Sequence, residues 1–475
     1  MNRRRNGRRS RPSKNEKDPS LIEFGVPVNG RLLAWAALQE YDENETFLSD
    51  VLASADPWHK LSPQERGLAV DVTSGVVRRR RTIDVLLESQ ISRPRANVEP
   101  DLWRLLQMGV YQLLFARTPE HAAVDETVEI AKLVGRTRWC GFANGVLRNV
   151  GRLVQDETTD QPAADAVPIA SGVYRRLGRP VFADPMTDLA EHFGQAFSLP
   201  RAIAKRWSKR LSYFDFVKAS FHGLEIPGLV LRINRLATTV GQLQAAFEEA
   251  GVDVSPGAKD RTLQLKQASR LTSLPGFREG WWSVQDESAM LAAEMLAPKK
   301  GERILDLCAA PGGKSTYLAE LSGDEAEIVA CDVSESRLQK VDDNITRLKL
   351  SSVEPTLISR DGSDIPDGPY DAVLVDVPCS NTGVFSRRPE ARWRFREADM
   401  EELVQLQTRL LLTAYDHVRP GGRIVYSTCS VEPEETTTLM ETICQTVPGL
   451  QMVRQEMQLP GKPSDGAFQA LFECD

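Results

Sequence analysis

The sequence predicts a multidomain protein in which an all-α bundle is followed by a small α/β domain and then by a larger α/β domain with a Rossmann-like sheet. Its 475 residues correspond to about three domains of ordinary size. Residues 28–155 carry apolar side chains at helical spacing throughout. Residues 303–315 have the pattern of a buried strand, a tight glycine turn and the start of a helix, which is the unit of a doubly wound sheet.

Composition limits the class of protein. The apolar fraction of 41% is enough for ordinary cores, and no run of about 18 apolar residues predicts a membrane span. The N-terminus lacks the apolar segment of a signal peptide. Seven cysteines at spacings unlike those of disulfide frameworks indicate a reducing compartment. We therefore expect a cytoplasmic monomer without membrane contact.

Charge is distributed unevenly along the chain. The net charge is −7, but residues 1–18 hold eight basic and two acidic residues, or +6, which leaves −13 for residues 19–475. Residues 1–24 are predicted to be a disordered basic tail. The tail either contacts nucleic-acid phosphates without sequence preference or only aids solubility, and the sequence leaves both interpretations open.

The helical region is predicted to form one domain over residues 25–155. Ser62 before Pro63 indicates a capped helix start. The run Arg78–Arg81 is either a solvated helix face or a phosphate contact. Residues 156–185 are rich in Asp, Thr, Pro and Ala and are predicted to be a linker.

Residues 186–280 are predicted to be the small α/β connecting domain. A basic helix here contains Trp207 among four cations, Lys205, Arg206, Lys209 and Arg210, a pattern that suits RNA backbone contact unless the indole is part of the core. Trp281 and Trp282 then lead into the last domain, residues 281–475, where they either stack on a base or pack in a wall.

The glycine turn admits three kinds of ligand site. A P-loop requires a first glycine where this chain has Cys308, and a dinucleotide fingerprint requires three spaced glycines where only Gly312 and Gly313 occur. The third interpretation, an S-adenosylmethionine site in a Rossmann-like sheet, is favoured. Acidic residues support it, because each follows a predicted strand at the expected carboxyl edge: Asp306, Asp332, Asp361 and Asp376.

Two cysteines follow predicted strands at the same edge. Cys379 stands in Asp376-Val377-Pro378-Cys379-Ser380, and Cys429 stands in Ser427-Thr428-Cys429-Ser430. No metal is predicted, because the two cysteines are far apart in sequence and no C-x-x-C or histidine cluster accompanies them. A thiolate beside a methyl donor suits addition to carbon 6 of a pyrimidine, which makes carbon 5 nucleophilic. Asp376 is the candidate acid near ring nitrogen 3.

These motifs resemble those of the RNA (cytosine-5)-methyltransferase family. The likeness covers residues 281–475 and includes Asp306 to Ser315, the two cysteine segments, Arg387-Arg388-Pro389 with Trp393, and Gln285-Asp286-Glu287-Ser288. It implies that Cys429 is the nucleophile and that Cys379 assists product release, whereas chemistry alone does not choose between them. It also implies S-adenosylmethionine as cofactor, bound by Cys308, Ala309, Ala310, Pro311, Gly312, Gly313, Lys314, Asp332, Asp361 and Asp376. Val377 and Asn381 depart from the family pattern without removing a reacting group.

The N-terminal helices resemble the NusB-like RNA-binding domain through Val124-Asp125-Glu126-Thr127-Val128 and Ala143-Asn144-Gly145-Val146-Leu147-Arg148. An all-α NusB-like bundle, a connecting domain and a Rossmann-like methyltransferase domain follow each other as in the family branch that acts on bacterial small-subunit rRNA. The resemblance thus implies methylation of a cytosine in that RNA before full assembly. The same chemistry on tRNA and a catalytically silent RNA-binding assembly factor are the alternatives.

Overall fold

The computed structural model describes residues 28–43, 47–116, 118–266, 271–461 and 464–475, so the predicted basic tail lies outside the described residues. The chain forms two compact units. The first comprises the described residues up to Val76 together with Gln90–Gly151, and the second comprises Val77–Ser89 and Arg152–Asp475. The predicted helical domain 25–155 is therefore interrupted, because Val77–Ser89 belongs to the other unit.

The first unit is helical, as the apolar spacing predicted. Its helices, two of which extend past its boundaries, are α1 Gly30–Glu43, α2 Leu48–Ser54, α3 Pro63–Arg78, α5 Pro100–Leu114, α6 Glu120–Leu133 and α7 Arg138–Leu153. Helix α3 starts where the sequence indicated, and the Ser62 hydroxyl accepts a hydrogen bond from the Glu65 N–H at 3.2 Å. Helix α5 is largely buried, and its Gly109 has no room for a side chain, because a Cβ there would lie 2.7 Å from Leu147. Helix packing at this glycine therefore depends on the absence of a Cβ.

The second unit begins with helix α4 Arg80–Glu88 and contains three sheets. Its other helices are α8 Leu189–Ala196, α9 Arg201–Arg210, α10 Tyr213–Leu224, α11 Val240–Glu249, α12 Glu287–Leu296, α13 Gly313–Leu321, α14 Glu335–Leu348, α15 Ala391–Arg394, α16 Met400–His417 and α17 Thr437–Thr446. The described part of the chain contains no helix long and apolar enough to cross a membrane.

The largest sheet has seven strands in the order β10-β9-β8-β11-β12-β14-β13. They are β8 Arg303–Asp306, β9 Glu327–Asp332, β10 Val353–Leu357, β11 Tyr370–Asp376, β12 Val418–Thr428, β13 Leu450–Gln458 and β14 Ala467–Cys474. The pairs from β10 to β12 are parallel, and β14 pairs antiparallel with both β12 and β13. Neighbouring residues such as Ile304 and Leu305 enter different core clusters, because successive strand side chains point to opposite faces. Helices α12, α13 and α14 cover one face, and α16 and α17 cover the other.

The connecting region holds a four-stranded antiparallel sheet in the order β5-β6-β4-β7. Its strands are β4 Leu229–Ile233, β5 Val254–Pro256, β6 Thr262–Leu265 and β7 Trp282–Val284. Strand β7 belongs to this sheet although the sequence placed it in the last domain. Trp282 is fully buried and its indole N–H donates to the Pro275 carbonyl at 2.8 Å, so this indole packs in the core rather than against a base.

The segment predicted as a linker, 156–185, instead contributes to a three-stranded antiparallel sheet. Its strands are β1 Val154–Thr159, β2 Ala166–Ala170 and β3 Val173–Leu177. Tyr174 of β3 is buried, with its ring 6.0 Å from that of Phe197 and 5.4 Å from that of Phe221. The sheet was not predicted because the composition of this segment is polar. Only a few apolar side chains at alternate positions pack against the rest of the protein.

Three of the four successive arginines form contacts within the protein instead of a solvated face or a phosphate site. Arg78 and Arg79 are only 6% and 7% exposed, and they donate to the carbonyls of Ser386 and Pro168 at 2.9 and 2.7 Å. Arg81 pairs with Glu191 at 2.6 Å. Their guanidinium groups therefore fasten the segment around the start of α4 to the rest of the second unit, and their multiple fixed N–H donors suit carbonyl acceptors.

Candidate active site

The carboxyl ends of five parallel strands meet at one edge of the seven-stranded sheet. The register places Asp306 opposite both Ala330 and Leu374, and it places Asp376 opposite Ser427. Asp306, Asp332 and Asp376 therefore end neighbouring strands, as predicted. Asp361 differs, since it lies four residues beyond β10 on an exposed loop, where it accepts hydrogen bonds from Ser359 and Ser363.

The glycine turn, residues 308–314, links β8 to α13. Gly312 has a φ of 93°, and a Cβ at this residue would lie 3.0 Å from the Val341 side chain, so the turn requires glycine here. The Ala310 N–H donates to the Asp332 carboxylate at 3.2 Å, which ties the turn to the end of β9. The turn and the first two acids thus form one hydrogen-bonded assembly, as expected for a nucleoside-binding crevice.

Asp306 lies beneath this turn with no exposed surface. One carboxylate oxygen accepts from the Ser315 hydroxyl at 2.7 Å, and the other is buried without a hydrogen-bond partner among the described residues. Burial raises the pKa of Asp306 to about 7. A buried acceptor without a partner is the kind of group that a ligand donor satisfies.

Lys314 and Asp376 form an ion pair across the crevice. The Lys314 ammonium donates to Asp376 Oδ2 at 2.7 Å, and the Ser427 hydroxyl donates to Asp376 Oδ1 at 2.9 Å. Burial disfavours the charged form of Lys314, but the negative charge of Asp376 outweighs burial and leaves the pKa of Lys314 raised. Lys314 therefore remains a cation beside the strand that precedes Cys379.

The two cysteines come together. Cys379 follows β11 and Cys429 follows β12, and their sulfur atoms lie 3.1 Å apart. Cys429 Sγ also lies 3.3 Å from the side-chain oxygen of Asn381, which in turn accepts a hydrogen bond from Arg388 at 3.0 Å. Because a thiol has one proton, Cys429 can donate either to Asn381 or to the sulfur of Cys379.

This proximity separates the acidities of the two thiols. The hydrogen bond from Cys429 lowers the pKa of Cys379, and the same contact raises the pKa of Cys429. The first proton lost by the pair therefore leaves a thiolate on Cys379, next to the Cys429 thiol. The burial of Cys308, in contrast, raises the pKa of its thiol, which makes that residue a poor nucleophile.

Two site residues were missed by the sequence analysis. Glu435 is fully buried behind the cysteines and accepts hydrogen bonds from the residues that follow them, Ser380 and Ser430. Arg232 of β4 is fully buried and donates to the Gly313 carbonyl at 2.7 Å and to Glu320 at 2.6 Å. A charged residue inside an apolar strand was the available signal for Arg232, whereas Glu435 stands among several other acids.

Arg387 and Trp393 of the remaining family-like segments make structural contacts. Arg387 joins two carboxylates, with Asp465 at 2.5 Å and Asp286 at 2.7 Å. The Trp393 indole N–H donates to the Val77 carbonyl at 2.7 Å. These contacts hold together parts of the second unit that are distant in sequence.

Comparisons with known proteins agree with these observations. A family described as 16S rRNA methyltransferase RsmB/F matches residues 293–469, and the NusB family matches residues 28–152. Ribosomal RNA small subunit methyltransferase B of Escherichia coli O7:K1 is 33% identical over 453 residues, which cover 93% of this chain and 98% of that protein. The protein of the same name from Cronobacter sakazakii is 35% identical over 428 residues, covering 90% of this chain and 92% of that protein.

Solved structures share the architecture. The crystal structure of PH0851 superposes with a TM-score of 0.74 at 22% identity and covers 94% of this chain and 99% of its own, which shows a common fold. A methyltransferase homolog protein from Pyrococcus horikoshii gives a TM-score of 0.52 at 25% identity, covering 60% of this chain and 98% of its own. The predicted fold class, a NusB-like bundle with a Rossmann-like methyltransferase domain, is confirmed.

Proposed function

Since this chain belongs to the RsmB/F family of 16S rRNA methyltransferases, we propose that it methylates carbon 5 of a cytosine in small-subunit rRNA through a covalent adduct with Cys429. The observation that carries the proposal is the pair of sulfur atoms 3.1 Å apart at the carboxyl edge of the sheet. Covalent catalysis of this kind needs one thiolate that adds to the ring and a neighbouring group that manages its proton.

The crevice beside the cysteines fits S-adenosylmethionine, which would supply the methyl group. The buried oxygen of Asp306 without a partner offers an acceptor to a ligand donor group. The turn from Cys308 to Lys314 would line the crevice, and Asp332 would lie at its adenosine end. Asp361 is assigned to the same crevice by family resemblance, although its present contacts stay within its own loop.

The cysteine pair supports a definite proton route. The Cys379 thiolate takes the proton of Cys429 across the 3.1 Å contact, and the new Cys429 thiolate adds to carbon 6 of cytosine. Electrons move to carbon 5, which forms the new carbon–methyl bond. A base then removes the proton of carbon 5, and the double bond re-forms as the Cys379 thiol gives its proton to the departing sulfur of Cys429, which leaves Cys379 as a thiolate again.

Asp376 is proposed to contact ring nitrogen 3. Its two oxygens accept hydrogen bonds from Lys314 and Ser427, so it must carry a proton to donate one to the ring. The Lys314 ammonium, 2.7 Å from Asp376, keeps its own proton because its pKa is raised. The positive charge of Lys314 also stabilises the negative charge that develops on the ring during addition.

An exposed surface on α9 and α10 supports contact with RNA. Trp207, which the sequence suggested for this role, is buried, and Arg206 and Arg210 pair with Glu432 at 2.7 and 3.2 Å. The RNA-facing candidates are instead the exposed cations and rings of the same two helices: Lys205, Lys209, Lys218, Tyr213 and Phe214. Tyr213 and Phe214 are 54% and 67% exposed, a cost in water that base stacking would offset.

Methyl transfer with labelled cofactor on protein-free small-subunit rRNA tests the proposal. The wild-type protein should label cytosine, Cys429→Ala should not, and Cys379→Ala should accumulate a protein–RNA adduct because the proton needed for release is missing. Turnover by Cys429→Ala would show that the nucleophile is misassigned. Labelling of tRNA but not of rRNA would leave the chemistry intact and overturn the target, and RNA binding without any labelling would favour a silent assembly factor.

A further inference from the structure

We infer that Glu435 is a positioning residue that fixes the separation of the two cysteine sulfur atoms. The inference rests on the proposed function of the cysteine pair. It concerns a residue that touches neither sulfur directly and acts through the two turns that carry them, Cys379-Ser380 and Cys429-Ser430.

The carboxylate of Glu435 is surrounded by donors. Its Oε1 accepts from the Ser380 backbone N–H at 2.9 Å and from the Gln407 side-chain amide at 2.9 Å. Its Oε2 accepts from the hydroxyls of Ser380 and Ser430. The side chain is 0% exposed, so these four donors replace water entirely, and a buried carboxylate satisfied in this way is rigid.

These contacts join the two cysteine turns at one point. Ser380 directly follows Cys379 and Ser430 directly follows Cys429, and their hydroxyl oxygens lie 3.0 Å apart. The sulfur atoms on the preceding residues are 3.1 Å apart. One carboxylate thus binds both turns next to the reacting pair, and the spacing of the sulfurs follows from the spacing of the serines.

Gln407 and Tyr426 make additional contacts that hold Glu435 in place. Gln407 of α16 also donates to the Pro378 carbonyl at 2.9 Å, so it fixes the residue before Cys379 as well. The Tyr426 hydroxyl donates to the Glu435 carbonyl at 2.8 Å. Removal of the carboxylate would leave buried donors without acceptors, a state that relaxes by movement of the turns.

The test measures the sulfur separation without RNA or cofactor. Diamide removes two electrons and two protons from a pair of thiols, forming a disulfide while it is reduced to the hydrazine. Mass spectrometry of proteolytic peptides then gives the rate of Cys379–Cys429 cross-linking in Glu435→Ala, Glu435→Gln and the matched control Glu441→Gln. Glu441 is an exposed residue of α17, so its substitution changes the same charge away from the turns.

We expect cross-linking in Glu435→Ala to be about tenfold slower than in wild type, with Glu435→Gln between them and Glu441→Gln unchanged. The rate of methyl transfer, kcat, should fall in the same order, whereas KM for S-adenosylmethionine should change by less than about twofold, because the glycine turn is not involved. Wild-type cross-linking rates in Glu435→Ala would overturn the inference.

If Glu435→Ala does not fold, the double variant Ser380→Ala with Ser430→Ala decides the matter, because it keeps the carboxylate and removes its hydroxyl links. Cross-linking at the wild-type rate in that variant would also overturn the inference. Slow cross-linking in the variants, together with a wild-type protein that never labels cytosine, would support the positioning role and refute the proposed function.

Discussion

The buried pair formed by Arg232 and Glu320 allows a prediction that can be worked out quantitatively. Arg232 is 0% exposed and the side chain of Glu320 is 3% exposed, and the guanidinium and carboxylate are 2.6 Å apart. In Arg232→Met the methionine fills similar volume, but Glu320 remains buried without its main partner. Breaking such pairs costs about 3–5 kcal/mol of unfolding free energy. Arg261 and Arg347 also lower the pKa of Glu320, so we expect a value near the lower limit.

The pKa of Glu320 determines how the stability loss in Arg232→Met depends on pH. Burial raises the pKa of this carboxyl even when Arg232 is present. Without Arg232 the native state holds the Glu320 proton more tightly than the unfolded chain does, so native stability falls as pH rises. The loss of stability in Arg232→Met should therefore be larger at about pH 8 than at about pH 5.

Urea unfolding followed by tryptophan fluorescence at both pH values measures the effect. Arg235→Met is the matched control, because Arg235 lies on the exposed chain three residues further on. The double variant Arg232→Met with Glu320→Leu should recover most of the loss, since it leaves no buried charge. Two results would refute this reasoning. One is a loss of unfolding free energy in Arg232→Met that is the same at both pH values. The other is a loss that Glu320→Leu does not reduce.

Three other predictions concern the turn, the thiol and the RNA surface. Gly312→Ala should raise KM for S-adenosylmethionine about tenfold in steady-state kinetics, because a Cβ would displace the turn. An unchanged KM would contradict this prediction. Asn381 has a φ of 59°, in the left-handed region that glycine adopts most easily. Thermal unfolding should therefore show Asn381→Ala to be about 1 kcal/mol less stable than Asn381→Gly. Equal stability of the two variants would show that backbone strain is negligible at this residue. Replacing Tyr213 and Phe214 by Ser should weaken binding to single-stranded rRNA segments by about 1–3 kcal/mol per ring in filter binding. Met186→Ser is the control, because Met186 is 90% exposed. Equal affinities of the wild type and the Tyr213 and Phe214 variants would contradict the stacking proposal.

The position of the candidate site at the carboxyl edge of the sheet could be predicted from the sequence because its signals are local. A strand end, a glycine turn and a cysteine after Asp-x-Pro occupy a few consecutive residues, so Asp306, Gly312 and Cys379 were found without tertiary information. Strand ends that are neighbours in a parallel sheet then bring such residues together. Family resemblance added the roles of the two cysteines, which the residues alone did not assign.

The supporting residues could not be predicted, because their partners are remote in sequence. Arg232 contacts Glu320 across 88 positions, and Glu435 contacts Ser380 across 55. Side chains of this kind look like ordinary surface charges until the fold encloses them. The sheet within 156–185 was missed for a related reason, since its apolar residues are too few to outweigh a polar composition.

The assignment of Val77–Ser89 to the second unit has a consequence for biosynthesis. Ile83, Leu86 and Leu87 of α4 are fully buried, while the side chains of Arg78 and Arg81 bind Ser386 and Leu199, residues that are translated much later. During synthesis the apolar face of this amphipathic helix therefore stays exposed until its partners are made. A fragment that starts after the helical region would lack this helix, so the methyltransferase part should be expressed together with Val77–Ser89 rather than cut at a single point.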